Sequence, residues 1–592
     1  MYFDRDSHFN NLTVNTTHSS VHVPTNVFDQ GPEESEFIQW SEVLDEVFTQ
    51  NYQSDPALSW QFFGSNLGIM RHFPALSWNR NKTDTFDCRK RSWYIETATC
   101  SKDVVILLDN SGSMHGYRNY VAQLTIKSLL DTFSNNDFVN IFNYSSNYSY
   151  LVPCFKEMLV QATPENIRVF NEAVADVERS QEGYANVSIA LDQAFQLLEK
   201  YRHIRKCNES ETGCNQAIML VTDGVPGNAT EVFEKYNWFR NDSGAYPVRI
   251  FTYLLGKEVT KVKEIQLYAC MNRGYYSHVQ SLDEVAEEVL KYVNVIAAPL
   301  VLQKEEHPPT WTHAYIDMSY ETDDQSMNDN QPDFRMMITV GVPAFNLSSY
   351  GEINGSFTGR PKLLGVAGTD IPLDDIIKLA LPYKLGVNGY AFIVSNNGYV
   401  LLHPDLRPFD PNHPGELKEN YNSVDITEIE QFDEELKPRQ LSAAVEELRK
   451  NLVLSKTNKM LNIPVRFHYD NMRRVAQSRQ DYYYAPIPHT PFSLGIALPH
   501  DYGNTWIKVG DEIQRNNYTK INISDFFVGE NWKVHPDWVY CKYHYLEGHE
   551  FETPELELRH FLKKIIEPNW KFTQQYEPDA NADKEKEIDE CK

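Results

Sequence analysis

Apolar segments alternate with helical segments between residues 102 and 297 of this chain, and two of the apolar segments lead into a carboxylate. Residues 104–108 are followed by Asp109, and residues 217–221 are followed, after one threonine, by Asp223. Continuous apolar runs of this length are typical of strands buried on both faces, as in parallel sheets covered by helices. The alternation therefore predicts a doubly wound α/β domain.

Further elements of this domain follow from periodicity. Helical spacing predicts helices over residues 120–133, 187–198 and 282–295, and apolar runs predict strands over 138–144 and 248–255. Beyond Pro299 the pattern changes to short alternating strands with glycine and proline between them, up to about residue 500. With 592 residues in all, we expect three or four domains.

The charge balance limits the classes of partner. A net charge of −27 repels phosphate backbones and anionic lipid headgroups, so nucleic acid is excluded as a main partner. Apolar runs such as residues 295–302 fall far short of the roughly 20 residues of a membrane-spanning helix. The chain also lacks the Gly-x-Ser-x-Gly, His-Glu-x-x-His and P-loop motifs of common enzyme classes. We therefore predict a binding protein that is not an enzyme.

Two features predict passage through the secretory pathway. Thirteen Asn-x-Ser/Thr sequons occur, and in a secreted protein these mark glycosylated surface. The eight cysteines, an even number, fit disulfides in an oxidising compartment. The start of the chain has no basic and apolar leader, so we expect the signal peptide of an extracellular protein to be missing here. The candidate glycosylation sites are Asn11, Asn15, Asn81, Asn143, Asn147, Asn186, Asn208, Asn228, Asn241, Asn346, Asn354, Asn517 and Asn522.

The clearest chemical motif is Asp109-x-Ser111-x-Ser113, directly after a predicted buried strand. In a doubly wound sheet, ligands lie outside the carboxyl ends of the strands, so this loop and Asp223 are expected at one edge. Carboxylate and hydroxyl oxygens are hard ligands that suit Mg²⁺ or Ca²⁺. The alternative is a turn in which Asp109 or a serine only caps the next helix. Because two acidic strand ends occur, we favour a metal site.

These residues resemble the metal-ion-dependent adhesion site of von Willebrand factor A domains. The wider sequence is similar to the alpha-2/delta auxiliary subunits of voltage-gated calcium channels, and four further motifs carry that resemblance. The motifs are Val23-Pro24-Thr25-Asn26-Val27, Trp60-Gln61-Phe62-Phe63-Gly64-Ser65, Arg91-Ser92-Trp93-Tyr94-Ile95, and Asn388-Gly389-Tyr390-Ala391-Phe392 with His403-Pro404.

The resemblance implies a fold that combines α/β and α+β parts: a doubly wound von Willebrand factor A domain inserted into a double Cache domain, which is PAS-like. Residues 1–100 would complete the first Cache domain, 101–297 would form the A domain and 298–505 the Cache domain. Residues 506–592 would begin a truncated second Cache region. A membrane-anchored delta portion would lie outside this chain.

The function implied by the resemblance is that of an auxiliary subunit on the extracellular face of the plasma membrane. It would bind the pore-forming subunit of a voltage-gated calcium channel through Ca²⁺ or Mg²⁺ and promote surface expression and current. The metal ligands would be Asp109, Ser111, Ser113 and Asp223. The alternative is a secreted or surface protein that senses amino acids, or adheres through metal, without a channel partner.

One position departs from the family pattern. The complete adhesion site adds a threonine from a Gly-x-Thr loop, and this chain has Gly183-Tyr184-Ala185 there. Water, Ser188 or Asn186 could replace the missing hydroxyl. Since Mg²⁺ commonly keeps several waters, loss of one neutral ligand should weaken metal binding without abolishing it.

The resemblance also implies a second site and a disulfide. In Cache domains an Arg-x-Trp-Tyr run helps to form an amino-acid pocket, in which Arg91 would clamp the ligand carboxylate beside Trp93 and Tyr94. Asp425 would receive the ammonium group of a free amino acid. The equally weighted alternative is a basic loop beside two core aromatics. Cys270 lies where the family tethers its A domain to the delta portion, and the further disulfide candidates are Cys154 and Cys214.

Overall fold

The computed structural model describes residues 3–9, 12–24, 32–76, 86–99, 101–177, 185–205, 215–225, 227–238, 248–257, 262–297, 309–316, 336–346, 351–353, 356–358, 362–380, 385–386, 388–409, 418, 420–431, 441–469, 474–500, 523–528, 532–534 and 551–565. The chain forms two compact units. The first comprises Met1–Leu373 with Arg407–Val424, and the second Asp374–Leu406 with Asp425–Lys592.

The strands and helices are numbered here in chain order. The strands are β1 Asp4–Asp6, β2 Leu12–Asn15, β3 Ser20–His22, β4 Gln61–Ser65, β5 Met70–Phe73, β6 Ala75–Leu76, β7 Lys102–Asp109, β8 Phe138–Tyr144, β9 Tyr148–Tyr150, β10 Val160–Gln161, β11 Asn215–Thr222, β12 Val248–Leu255, β13 Tyr276–Val279, β14 Thr310–Trp311, β15 Tyr315–Ile316, β16 Met336–Asn346, β17 Gly351–Ile353, β18 Ser356–Thr358, β19 Lys362–Pro372, β20 Tyr390–Ser395, β21 Val400–Leu402, β22 Asn458–Tyr469, β23 Arg474–Pro486 and β24 Phe492–Pro499. The α-helices are α1 Pro32–Ser41, α2 Leu44–Ser54, α3 Ser92–Thr99, α4 Tyr117–Leu130, α5 Pro164–Ala175, α6 Val187–Ile204, α7 Thr230–Phe233, α8 Val262–Met271, α9 Val285–Ala297, α10 Leu373–Ile377, α11 Ile426–Glu430, α12 Ala443–Val453 and α13 Pro554–Ile565.

The first unit contains a mostly parallel sheet in the order β10-β8-β7-β11-β12-β13, with β9 also paired to β8. Strands β8, β7, β11, β12 and β13 are parallel, whereas β9 and β10 run antiparallel to β8. Numbered by their order in the chain, the parallel strands lie 2-1-3-4-5, and the order reverses between β7 and β11. The predicted doubly wound sheet is confirmed.

Both faces of this sheet are buried by helices. On one face, α4, α5 and α9 contribute buried side chains such as Leu129, Phe170 and Val289 to a large apolar cluster. On the other face, α6 and α8 contribute side chains such as Leu191 and Ile265. Every residue of β7 is buried, as expected for a central strand covered on both sides.

A second, antiparallel sheet of the first unit combines early and late parts of the chain. Its order is β14-β16-β19-β4-β5-β3, with β15 also paired to β16. Helix α3 packs on it, and its Trp93 approaches Gly64 so closely that a Cβ there would lie 2.7 Å from Cη2 of the indole. Trp93 and Val104 of β7 belong to one apolar cluster, so this sheet and the parallel sheet share a core.

The second unit contains a five-stranded antiparallel sheet in the order β21-β20-β24-β23-β22. Helix α12 buries Val445, Leu448 and Leu452, the apolar stripe expected at helical spacing. In the sheet, Gly495 leaves room for Phe392, since a Cβ at Gly495 would lie 2.1 Å from the ring. Together the two units confirm the predicted combination of α/β and α+β structure.

The predicted helix boundaries differ from the observed ones by a few residues at several ends. The helix predicted over 120–133 is α4, Tyr117–Leu130. It starts earlier because Gly116, at φ 74°, turns the chain directly into the helix. The helix predicted over 187–198 continues to Ile204 because the polar residues after Leu198 favour helix without adding to the apolar stripe.

Candidate metal centre

The candidate metal ligands lie where the strand order of the parallel sheet reverses. In the register of β7 and β11, Leu108 is opposite Val221, so the two strands end at the same level. Asp109 is the last residue of β7, and Asp223 directly follows β11. The structure thus brings both predicted carboxylates to the edge where doubly wound sheets bind their ligands.

The loop after β7 is folded by the side chain of Asp109. The Ser111 backbone N–H donates a hydrogen bond of 2.9 Å to Asp109 Oδ1, which closes a tight turn. Residues Gly112–Met114 form a short 3₁₀ turn, and Ser113 is exposed. As a result the Oγ atoms of Ser111 and Ser113 come within 3.1 Å of each other.

The loop after β11 supplies the second carboxylate. The Ser113 hydroxyl donates to Asp223 Oδ1 at 3.0 Å, which joins the two loops. The Thr222 hydroxyl donates to Asp109 Oδ2 at 2.6 Å and accepts from the Gly224 N–H at 3.1 Å. Asp109 and Asp223 are therefore each fixed by a hydroxyl group from the opposite loop.

The oxygen spacing fits a hard divalent cation. At the Mg–O distance of 2.0–2.1 Å, adjacent oxygens of an octahedral site lie about 2.9 Å apart, while Ca²⁺ requires wider spacing. The serine oxygens lie 3.1 Å apart and Ser113 lies 3.0 Å from Asp223; these are hydrogen-bond distances that bring three oxygens close enough to contact one cation. Within the described ranges, no group of three or more His, Cys, Asp or Glu side chains is arranged to hold a metal, so this donor set depends on hydroxyls.

The electrostatics of Asp109 follow from its position. Its side chain is fully buried, and this burial raises the pKa of the carboxyl. The hydrogen bonds from Thr222 and Ser111 lower that pKa, and the negative charge of Asp223 raises it. A positive charge placed near Asp109 would therefore stabilise the ionised form of this buried carboxyl group.

Arg118, in the first turn of α4, contacts the second carboxylate. Its Nη1 lies 2.6 Å from Asp223 Oδ2 and donates to the Ser113 carbonyl at 3.3 Å. A cavity of about 450 Å³ adjoins this ion pair and is open to solvent. It is lined by Ser113, His115, Tyr117, Arg118, Gly256 and Lys257.

Thr222 and Arg118 also belong to this site, although neither was predicted from the sequence. Thr222 could have been found, because it precedes Asp223 at the end of a buried strand and so faces the same edge. Arg118 also had a signal: a cation in the first turn of a helix opposes the helix dipole. Because an arginine at this position does not stabilise the helix, its presence indicates a nearby carboxylate as its partner.

The position of the missing threonine is only partly described. Gly183 and Tyr184 lie outside the described residues, whereas Ala185 is half-buried and Asn186 is exposed before α6. The Asn186 N–H donates to the Ser145 carbonyl at 2.7 Å, which joins this loop to the end of β8. Whether water, Ser188 or Asn186 replaces the hydroxyl stays a prediction.

The residues of the predicted amino-acid pocket have contacts of other kinds. The Arg91 guanidinium lies 4.6 Å above the Phe86 ring, and Trp93 and Tyr94 are buried in the core. Asp425, in the second unit, caps α11 by accepting from the Thr427 N–H at 3.0 Å. The amino-acid pocket stays a prediction, and these contacts match the alternative of a structural basic loop.

Asp425 also has a cationic partner of its own. Arg449 Nε donates to Asp425 Oδ2 at 2.6 Å, so the charge of this carboxylate is balanced within the second unit. In the first unit, the neighbour of Arg91 in sequence, Arg89, pairs with Asp87 at 2.8 Å and with Glu287 of α9 at 2.6 Å. Arg89 therefore connects the loop before α3 to the parallel-sheet domain.

The described cysteines and sequons allow only partial checks. Cys154 and Cys270 are exposed free thiols, and Cys88 is a buried one, while Cys214 lies outside the described residues. The predicted disulfides thus stay predictions. Of the candidate glycosylation sites, Asn147, Asn186 and Asn228 are exposed and Asn15, Asn143 and Asn346 are half-buried. The others, outside the described residues, are Asn11, Asn81, Asn208, Asn241, Asn354, Asn517 and Asn522.

Three protein-family models match parts of this chain. Residues 1–78 match the VWA N-terminal model, 104–225 the von Willebrand factor type A domain, and 389–499 the CACHD1 middle domain. The second match covers both loops of the candidate metal centre. The third covers most of the sheet of the second unit, in the region predicted to be a Cache domain.

Curated relatives match nearly the whole chain. Human (Homo sapiens) voltage-dependent calcium channel subunit alpha-2/delta-4 is 36% identical over 585 residues, which is 98% of this chain and 47% of the relative. The chain is related to the alpha-2/delta subunits. Mouse (Mus musculus) subunit alpha-2/delta-3 is 38% identical over 538 residues, 90% of this chain and 46% of the relative. The predicted family resemblance is thus confirmed, and the chain spans about half the length of these relatives.

Two further findings complete the comparison. A solved von Willebrand factor type A structure from Catenulispora acidiphila matches 46% of this chain and 57% of its own, at 14% identity and a TM-score of 0.27, too low to carry a structural argument. No helix in the described part of the chain has the length and hydropathy of a membrane span. The two relatives are named as channel subunits, and neither name is that of an enzyme.

Proposed function

We propose that this chain acts as an extracellular auxiliary subunit of a voltage-gated calcium channel. It would bind the pore-forming subunit through a divalent cation and promote surface expression and current. The proposal rests on one observation: Asp109 and Asp223 end neighbouring strands at one sheet edge, where Ser111, Ser113 and Asp223 form a chain of oxygens spaced 3.1 and 3.0 Å apart. The relatives named as calcium channel subunits supply the kind of partner.

The candidate centre would hold the cation through Asp109, Ser111, Ser113 and Asp223. Carboxylate and hydroxyl oxygens of this kind suit Mg²⁺ or Ca²⁺. When bound, the ion would offer an open coordination position to a carboxylate of the partner. Ser113 is exposed and lines the adjoining cavity, so a partner side chain can approach from that side.

Co-purification with the pore-forming subunit tests this proposal. The full chain should capture the channel subunit in millimolar Mg²⁺ and release it when EDTA is added. Asp109→Asn should weaken capture at least tenfold, because it removes a charged ligand while keeping the side-chain shape. A matched control is Asp192→Asn, a half-buried change on α6, where Asp192 pairs with Lys235 and is not one of the proposed ligands.

The outcome separates the proposal from its alternative. Capture that resists both EDTA and Asp109→Asn would show that the metal is not the link to the channel. No capture under any condition, together with a divalent-dependent rise in melting temperature, would favour a metal-dependent adhesion or sensor protein without a channel partner.

A further inference from the structure

We propose that Arg118 acts as a built-in positive charge at the candidate metal centre. In the absence of metal, its side chain holds the two ligand loops together, and its charge lowers their affinity for a divalent ion. The inference rests on the metal site proposed above. It concerns a residue that is not itself a metal ligand, and it predicts a gain of metal affinity when that residue is removed.

Arg118 connects three loops at the sheet edge. It pairs with Asp223 after β11, donates to the Ser113 carbonyl after β7, and packs over Gly256 after β12. A Cβ at Gly256 would lie 3.0 Å from Arg118 Nε, so the side chain fills the space that this glycine leaves. Its position is thus defined by contacts on three sides, although its side chain remains 30% exposed.

The charge of Arg118 has two opposing consequences for metal binding. The ion pair helps to orient Asp223, which favours binding, but a fixed positive charge beside a ligand repels a divalent cation. Orientation does not depend on Arg118 alone. Asp223 Oδ1 also accepts from the Ser113 hydroxyl at 3.0 Å, and the Asp223 side chain is only 7% exposed. Repulsion is therefore expected to be the larger effect.

A second cation reinforces this reasoning. Lys257 is exposed and lines the same cavity as Arg118, next to His115 and Tyr117. Arg118 and Lys257 thus place two basic side chains at one opening. A bound divalent ion would add to that positive charge. A carboxylate from a partner would reduce it, so metal and acidic partner should favour each other's binding.

The test is calorimetric titration of the full chain with Mg²⁺, combined with thermal melts in EDTA. Arg118→Gln should tighten Mg²⁺ binding roughly tenfold, because it removes a unit charge beside the ligands. It should also lower the metal-free melting temperature by about 2 °C, since a partly exposed ion pair is lost. Arg118→Lys keeps the charge and should stay close to the wild-type affinity.

Controls and contrary results make the test decisive. Arg168→Gln removes an exposed cation near Glu172 on α5 and should change neither quantity. Mg²⁺ binding by Arg118→Gln that is equal to or weaker than that of the wild type would overturn the inference. The inference would also fail if Arg118→Lys tightened Mg²⁺ binding as much as Arg118→Gln does. If neither the wild type nor Arg118→Gln binds Mg²⁺, the metal site itself fails. Tighter binding without capture of a channel subunit would leave the inference standing and contradict the proposed function.

Discussion

Asp109 in the first unit and Glu430 in the second are both buried carboxylates, and their surroundings differ. Glu430, the last residue of α11, accepts hydrogen bonds from Tyr390 at 2.7 Å and from Tyr482 at 2.8 Å. His403 Nε2 lies 3.1 Å from the same carboxylate. Glu430 is thus surrounded by two tyrosine hydroxyls and an imidazole from its own unit.

Asp109 has a different kind of neighbourhood. Hydrogen bonds come to it from Ser111 and Thr222, and beyond them lie Ser113, a second carboxylate and a cavity that opens to the surface. The difference shows that burial of a carboxylate does not by itself indicate a binding site. What indicates one is the convergence of several further oxygens at an opening, because only then can a cation from solvent gain ligands.

The comparison predicts first that Glu430 is structural. Glu430→Ala should lower the free energy of unfolding by about 3 kcal/mol, because two tyrosine hydroxyls and a histidine lose a buried partner. Urea denaturation of the full chain, with hydrogen exchange read over β20, measures this. Glu447→Ala, an exposed change on α12, should stay within about 0.5 kcal/mol. If Glu430→Ala were as stable as the control variant, Glu430 would not have the structural role that distinguishes it from Asp109.

The second prediction concerns metal. A hundredfold excess of Mg²⁺ over its Kd should stabilise the wild-type first unit by about 2.7 kcal/mol, and Asp109→Asn should lose that gain. Glu430→Gln should keep the full gain, because Glu430 is not one of the proposed metal ligands. Thermal melts with and without EDTA check both. If EDTA did not change the melting temperature of the wild type, Asp109 would be a structural carboxylate like Glu430 and not a metal ligand.

The third prediction extends the comparison to a buried base. His72 of β5 is completely enclosed, and burial lowers its pKa from 6.5 to about 4. The unfolded chain therefore binds a proton between pH 6.5 and 4 that the folded chain does not, so stability falls as the pH falls. At pH 5 the loss relative to pH 7 should be about 2 kcal/mol. Urea denaturation at pH 5 and pH 7 measures this loss, and His72→Gln should remove it. An unchanged difference in unfolding free energy between the two pH values in His72→Gln would contradict the prediction.

The sequence predicted the parts of this molecule that depend on local pattern. Apolar runs indicated four of the five parallel strands, all but β13, and carboxylates after two of them indicated the edge where Asp109 and Asp223 meet. The Glu430 cluster could not be predicted, because its members lie on β20, α11 and β23 and only the folded sheet brings them together. Arg118 was missed since its partner, Asp223, is 105 residues away in sequence.

Large separations in sequence also affect the order in which parts of the chain can fold during synthesis. Trp60 and Thr369 lie next to each other in the antiparallel sheet, where the Thr369 hydroxyl donates to the Trp60 carbonyl at 2.9 Å, although 309 residues separate them. At about 5–20 residues per second, a ribosome needs roughly 15–60 s to synthesise that interval. All strands from β7 to β13 emerge within it. The inserted parallel sheet can therefore be complete while the sheet that carries it still lacks its interior strand β19.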